Sequence, residues 1–181
     1  MSAGASILIA EDDADVLRAA RVALMPIADR VKSLPSVDGL DELLTSAPFD
    51  VVLLDMNFVS GERSGGEGLN ALARIHAFDP NLAVVLMTAY GGVALAVDAL
   101  KRGAADFILK PWHNDKLIAA VTAAATVTRA RRKKETQHLD VVERGAIERA
   151  LARHAGNISL AAAELGLSRP ALYRRMAKHG L

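Results

Sequence analysis

The chain has 181 residues, 51% of them hydrophobic, and 22 Lys and Arg against 21 Asp and Glu leave a net charge of +1. That length accommodates one mid-sized domain and one small one with packed cores, and the near balance of charge excludes a chain that is polybasic throughout. The absence of cysteine excludes a disulfide framework and a thiolate metal site, which fits a reducing compartment, so a cytoplasmic location is expected.

In chain order, the N-terminus enters a short strand without the basic and apolar segments of a signal peptide. Every later apolar run is broken by charge before the ~20 residues of a membrane helix, so no membrane partner is expected. The first run, Ile7-Leu8-Ile9-Ala10, closes on Glu11, Asp12 and Asp13. Val16, Leu17, Ala20 and Leu24 then repeat with helical period, and Val31 to Leu34 read as a weak second strand. A short helical stripe at Leu40, Leu43 and Leu44 leads to Val51-Val52-Leu53-Leu54, which closes on Asp55. Leu69, Leu72, Ala73 and Ile75 mark the next helix, and Val84-Val85-Leu86-Met87 closes on Thr88. Val93, Leu95, Ala96, Ala99 and Leu100 form a helix that stops at Gly103, and Phe107-Ile108-Leu109 closes on Lys110. After Pro111, Leu117, Ile118, Val121 and Ala125 mark one more helix.

Strand and helix alternate, so the pattern predicts a five-stranded parallel α/β sandwich over residues 1–128. In an open parallel sheet all strand C-termini lie at one edge, where ligands bind. Glu11, Asp12, Asp13, Asp55, Thr88 and Lys110 therefore converge, Asp13 reading equally as a ligand or as the cap of the first helix. Clustered carboxylates repel one another and call for a cation among them. Mg²⁺, which prefers hard oxygen ligands and keeps waters and phosphate in its shell, is the natural candidate, and Lys110 adds a second positive charge. A carboxylate so placed is a nucleophile toward a phosphoryl group. Taken singly, each residue has a plainer reading: Asp13 as a helix N-cap, Asp55 as a turn cap, Thr88 as a helix start, Lys110-Pro111 as a loop entry, Phe107 as core.

Beyond Thr128 the pattern changes. From Arg129 to Leu181 there are twelve Lys and Arg against five Asp and Glu, and no strand pattern. Residues 129–139 read as a basic linker without Gly or Pro, compatible with a continued helix. Residues 140–181 read as a small all-α domain. Val141, Val142, Ile147, Ala150 and Leu151 share a helix face ending near His154-Ala-Gly156; Asn157 or Ser159 caps Leu160 to Leu165; Ser168 caps Arg169 to Lys178, with Pro170 in the first turn. Two short helices about Gly166-Leu167-Ser168 read as a helix-turn-helix, whose second helix would offer Arg169, Tyr173, Arg174, Arg175 and Lys178 to a major groove. The competing reading makes those cations the solvated face of a dimerisation module.

Four separated motifs, Ile-Leu-Ile-Ala-Glu11-Asp12-Asp13, Leu-Leu-Asp55-Met-Asn57, Met-Thr88-Ala-Tyr90 and Lys110-Pro111, resemble the receiver domains of two-component response regulators. The resemblance implies a doubly wound, flavodoxin-like domain phosphorylated on Asp55 by a sensor histidine kinase or phosphotransfer protein. It further implies Mg²⁺ bound by Asp12, Asp55 and the backbone carbonyl of Asn57, with Glu11 acting through water. Thr88 and Phe107 take the switch positions, and the Lys110-Pro111 bond is implied to be cis. The segment from Asp55 to Gly68 departs from the pattern: thirteen positions separate the two, and Phe58 to Glu67 forms a long glycine-bearing loop over the pocket, a lid, a docking surface or an inert insertion.

Gly156 to Met176 closely resembles the Fis-type DNA-binding domains that end NtrC-like regulators. This implies double-stranded DNA as partner and a homodimer formed through Val141–His154. It assigns Ser168, Arg169 and Arg174 to base or phosphate contacts, and Ser159 and Arg175 to the backbone. NtrC-like proteins carry an ATPase between these modules, yet no G-x-x-x-x-G-K-[ST] occurs here and residues 129–139 leave no room for one. The expected protein is a phosphorylation-controlled transcriptional regulator and not an enzyme. Alternatives are a helical tail that binds protein or RNA, and an aspartyl-phosphate phosphatase, which Asn57 in place of an acid/base carboxylate disfavours.

Overall fold

The computed structural model describes residues 4–56, 66–89 and 93–181, with the side chains of residues 93–95 excepted. Contacts divide the chain into two compact units, Met1–Arg131 and Arg132–Leu181.

The first unit is a five-stranded, all-parallel sheet of order β2-β1-β3-β4-β5, formed by β1 (Ala5–Ala10), β2 (Ala28–Leu34), β3 (Val51–Asp55), β4 (Ala83–Thr88) and β5 (Asp106–Leu109). The three central strands are buried on both faces, which is why they read as unbroken apolar runs. On one face α1 (Ala14–Leu24) and the first part of α5 (Asn114–Arg153) cover Ile7, Ile9, Leu53, Val85 and Met87. On the other, α2 (Leu40–Ser46), α3 (Gly66–Phe78) and α4 (Val93–Lys101) cover Leu8, Val52, Leu54, Val84 and Leu86. Thus successive residues of each strand serve opposite cores, as the two-residue side-chain period requires.

Two sequence boundaries shift. The second strand begins at Ala28, three residues before the predicted run; as an edge strand it has no fully buried residue and carries exposed Asp29 and Lys32 among half-buried ones, which weakens its signal. Gly66 and Glu67, assigned to the loop from Phe58, belong to the first turn of α3, whereas residues 57–65 lie outside the described residues. Gly68 in that turn has a steric reason to be glycine: an added Cβ would sit 2.6 Å from the Cα of Met56. The helix N-terminus therefore approaches the backbone directly after Asp55, and Gly68 N–H donates to Met56 C=O at 3.2 Å.

At the opposite edge of the sheet α5 is pinned to the strand N-termini. Fully buried Thr128 accepts a hydrogen bond from Ala83 N–H at 2.8 Å, satisfying a donor at the start of β4. Arg129 donates from Nε and Nη2 to the two carboxylate oxygens of Asp50, at 3.1 and 2.8 Å, and from Nη2 to the Gly4 carbonyl at 2.6 Å. Thr128→Val keeps the shape and strands the Ala83 donor, so a loss of about 2 kcal/mol is expected, read as a lower urea midpoint of the receiver transition.

In the second unit, the C-terminal part of α5, α6 (Ile158–Glu164) and α7 (Arg169–His179) enclose Ile147, Ala150, Ala161, Ala162 and Leu172. Asn157, and not Ser159, caps α6, accepting from Ser159 and Leu160 N–H; Ser168 caps α7, accepting from Ala171 N–H. The charged segment 129–139 is helical throughout.

Candidate functional site

The sheet's C-terminal edge carries the predicted constellation. Parallel pairing places Ala10 beside Leu54, Asp55 beside Met87 and Thr88 beside Leu109, so the residues at each strand end come together by register. Lys110 is held there by its backbone N–H, which donates to Thr88 C=O at 2.8 Å, and its peptide bond to Pro111 is cis. Its Nζ lies 2.6 Å from Glu11 Oε2 and 2.9 Å from Asp55 Oδ1. Candidate ligand oxygens of Glu11, Asp12 and Asp55 all lie within 4.8 Å of one another.

Burial makes this pocket electrostatically tense. Glu11, Asp55 and Thr88 are buried, whereas Asp12 is exposed at its mouth. Burial raises the Glu11 carboxyl to about 7, a shift opposed by the hydrogen bond from Lys110 and reinforced by the Asp55 charge. Burial likewise raises Asp55, against the pull of Lys110 and the Met56 N–H. At Lys110 burial disfavours the charge, but the hydrogen bonds to Glu11 and Asp55 outweigh it and hold the ammonium above its ordinary value. One lysine thus serves the two buried carboxylates, with Asp12 beside them at the mouth.

Asp13 faces another task. Its carboxylate accepts from Asp15 and Val16 N–H at 2.9 and 3.1 Å, so it caps α1, and those bonds hold its pKa below the ordinary carboxylate value. Phe107 is half-buried and packs against the core that contains Leu86 and Ala104. Asn57 and Tyr90 lie outside the described residues.

In the second unit, Ser159, Ser168, Arg169, Tyr173, Arg174, Arg175 and Lys178 are all exposed. Leu172 is buried and Met176 packs beside it, which turns Arg174 toward solvent. Arg175 and Lys178 lie on another flank: Arg175 Nη1 is 2.7 Å from Glu143 Oε1, and Lys178 Nζ is 2.7 Å from Asp140 Oδ1 and 3.4 Å from Glu143 Oε2. Sequence reasoning passed over these two acids; their one available signal is an i, i+3 acidic pair on one helix face.

Residues 7–122 match the family profile of the response regulator receiver domain, and residues 138–179 match that of the bacterial regulatory protein, Fis family. The C4-dicarboxylate transport transcriptional regulatory protein DctD of Pseudomonas aeruginosa is 32% identical over 151 residues, covering 83% of this chain and 32% of that protein. The chemotaxis protein CheY of Listeria monocytogenes is 36% identical over 99 residues, 55% of this chain and 76% of that one. Among solved structures, the N-terminal signal receiver domain of a Bacteroides fragilis response regulator aligns with a TM-score of 0.61 and 40% identity, over 68% of this chain and 98% of that one. This chain spans about a third of the length of DctD, and between the two matched segments lies only helix α5.

Proposed function

The chain belongs to the two-component response regulators, with a receiver domain followed by a Fis-family helix-turn-helix, and from that premise we propose that phosphorylation of Asp55 controls its binding to double-stranded DNA. The observation that carries the first half is the Lys110 ammonium shared by buried Glu11 and Asp55 at the sheet edge.

The donor set fits Mg²⁺: three carboxylates offer hard oxygens within 4.8 Å of one another, and one ammonium leaves negative charge to be balanced. Asp12, Asp55 and the Asn57 carbonyl are the proposed ligands, with Glu11 reaching the ion through water; the metal supplies charge neutralisation for the phosphoryl oxygens. The phosphodonor is the phosphohistidine of a sensor kinase or phosphotransfer protein. Asp55 carboxylate oxygen attacks its phosphorus; the new P–O bond forms as the P–N bond breaks, and the departing imidazole keeps its proton on the other ring nitrogen. Lys110 donates to one oxygen of the transferred group and Thr88 to another. Phe107 follows Thr88 inward, and the altered α4–β5–α5 surface shifts an existing equilibrium toward the DNA-binding form.

For DNA, Arg169, Tyr173 and Arg174 are the proposed contacts from the exposed side of α7, with Ser168 at its N-terminus and Ser159 on α6 toward the phosphate backbone. Apolar Leu139, Val141 and Val142 are exposed on α5, which supports a homodimer through this helix. Two half-site readers then bind as one. Among the described residues no helix is long and apolar enough to cross a membrane, and a cytoplasmic regulator without catalytic turnover of its own is the reading adopted.

The test has two arms. The chain should incorporate phosphate from an acyl-phosphate donor only with Mg²⁺ present, and should retain genomic DNA fragments at low salt. Failure to retain DNA with and without phosphorylation would favour a protein- or RNA-binding tail. Arg174→Ala should leave labelling intact, while DNA affinity falls by about tenfold and the salt dependence loses about one counterion per subunit.

A further inference from the structure

We propose that Asp140 and Glu143 are positioning residues for DNA recognition, which neutralise Arg175 and Lys178 and fix the roll of α7, so that Arg169, Tyr173 and Arg174 alone face the groove. This rests on the DNA-binding reading above. The apolar hold on α7 is narrow: Leu172 and Met176, one turn apart, are its contacts with the core of the second unit. Two knobs in one line leave a short helix free to rotate about its own axis, because at about 100° per residue they lie on nearly the same radius. A second line of attachment is needed to fix that rotation.

The flank at Arg175, Lys178 and His179 supplies it. Glu143 receives Arg175 at 2.7 Å, His179 Nε2 at 2.7 Å and Lys178 at 3.4 Å, while Asp140 receives Lys178 at 2.7 Å. The His179 side chain is only 7% exposed, so the row borders the core at the His179–Glu143 end, while Arg175, Lys178 and Asp140 reach solvent. The hydrogen bond from Lys178 holds Asp140 below its ordinary pKa, and the hydrogen bond from His179, followed by that of Lys178 and by the Arg175 charge, does the same for Glu143, so both acids are ionised in the neutral range. A cation already paired with carboxylate releases no counterion when DNA arrives, and a phosphate must compete with that carboxylate for it. Arg169 and Tyr173, by contrast, lie on the side of α7 opposite Arg175 and Lys178, Arg174 lies one turn before Lys178 at the border between the two sides, and none of the three is held in an ion pair among the described residues.

The experiment uses the full chain and two duplexes, one selected by the wild type from a random-sequence pool and one scrambled, with affinity followed across a salt series. Arg175→Ala and Lys178→Ala are expected to leave the slope of log K against log salt unchanged, whereas Arg174→Ala lowers it by about one per subunit. Asp140→Asn with Glu143→Gln should retain or strengthen binding to the scrambled duplex, since two cations are released, and should lose about tenfold in discrimination between the duplexes, since the roll of α7 is no longer set. Slopes lowered by Arg175→Ala and Lys178→Ala as much as by Arg174→Ala would place those cations on phosphates and overturn the assignment. So would unchanged discrimination in the double variant with native helix content. A wild type that binds neither duplex sinks the DNA-binding reading itself, a distinct outcome.

Discussion

Asp55→Asn is expected to abolish phosphoryl incorporation from an acyl phosphate or a phosphorylated kinase, with no residual labelled band after denaturation. Asn keeps the shape and the hydrogen bond its side-chain oxygen accepts from Met56 N–H, so the fold should survive. What disappears is the anionic nucleophile; an amide oxygen next to an ammonium is far too weak a base to displace an imidazole. Removing the charge should also relieve Glu11, whose carboxyl is raised in part by Asp55, and so leave the metal-free protein at least as stable as the wild type. Undiminished labelling would move the acceptor to another residue. Lost labelling together with lost helical signal would instead indicate a failure of folding.

Lys110→Ala should be among the most destabilising single changes in the first unit, and its effect should depend on pH and on Mg²⁺. It strips the ammonium from Glu11 and Asp55, whose side chains are 0% and 5% exposed, and a buried charge deprived of its partner costs about 3 kcal/mol. The pH dependence follows from Glu11. Its carboxyl is raised from 4.5 to about 7 on folding, so between those values the native state holds a proton that the unfolded state has lost. Metal-free wild type should therefore be most stable below about pH 4.5 with respect to this group, lose stability as the pH rises to about 7, and level off above. Lys110→Ala should deepen that loss and extend it above pH 7, because the hydrogen bond that lowers Glu11 is gone. Mg²⁺ binds the native cluster and needs its carboxylates ionised, so it should raise the Tm of the wild type more at pH 8 than at pH 5. Thermal melts in chelator and in millimolar Mg²⁺ at the two pH values check this; a shift independent of both would mean that the cluster holds no cation.

The pocket was legible in the sequence because its parts are local. Each central strand is an apolar run with its chemistry on the next residue, and parallel pairing then leaves little choice about where Asp55, Thr88 and Lys110 meet. Asp13 stayed open between cap and ligand until the hydrogen bonds to Asp15 and Val16 decided for the cap. Less was legible where partners are distant. Nothing near Asp50 announces Arg129, 79 positions on, and nothing near Thr128 announces the Ala83 amide. Arg175 and Lys178 were readable as cations, but their engagement with Asp140 and Glu143 depends on how α7 lies against α5. The edge strand β2 gave a weak signal for another reason: with one side unpaired, Asp29, Arg30 and Lys32 interrupt its apolar residues.

The anchoring of α5 at Thr128 and Arg129 bears on how the protein can be taken apart. A truncated receiver that stops at Ala125 or Val127 would retain every residue of the acidic pocket, yet would leave the Ala83 amide unsatisfied and the Asp50 carboxylate without its guanidinium. Fragments meant to report the phosphorylation chemistry in isolation should therefore extend through Arg131, and a shorter one that misbehaves would be reporting a damaged floor of the sheet, remote from the chemistry it was made to measure.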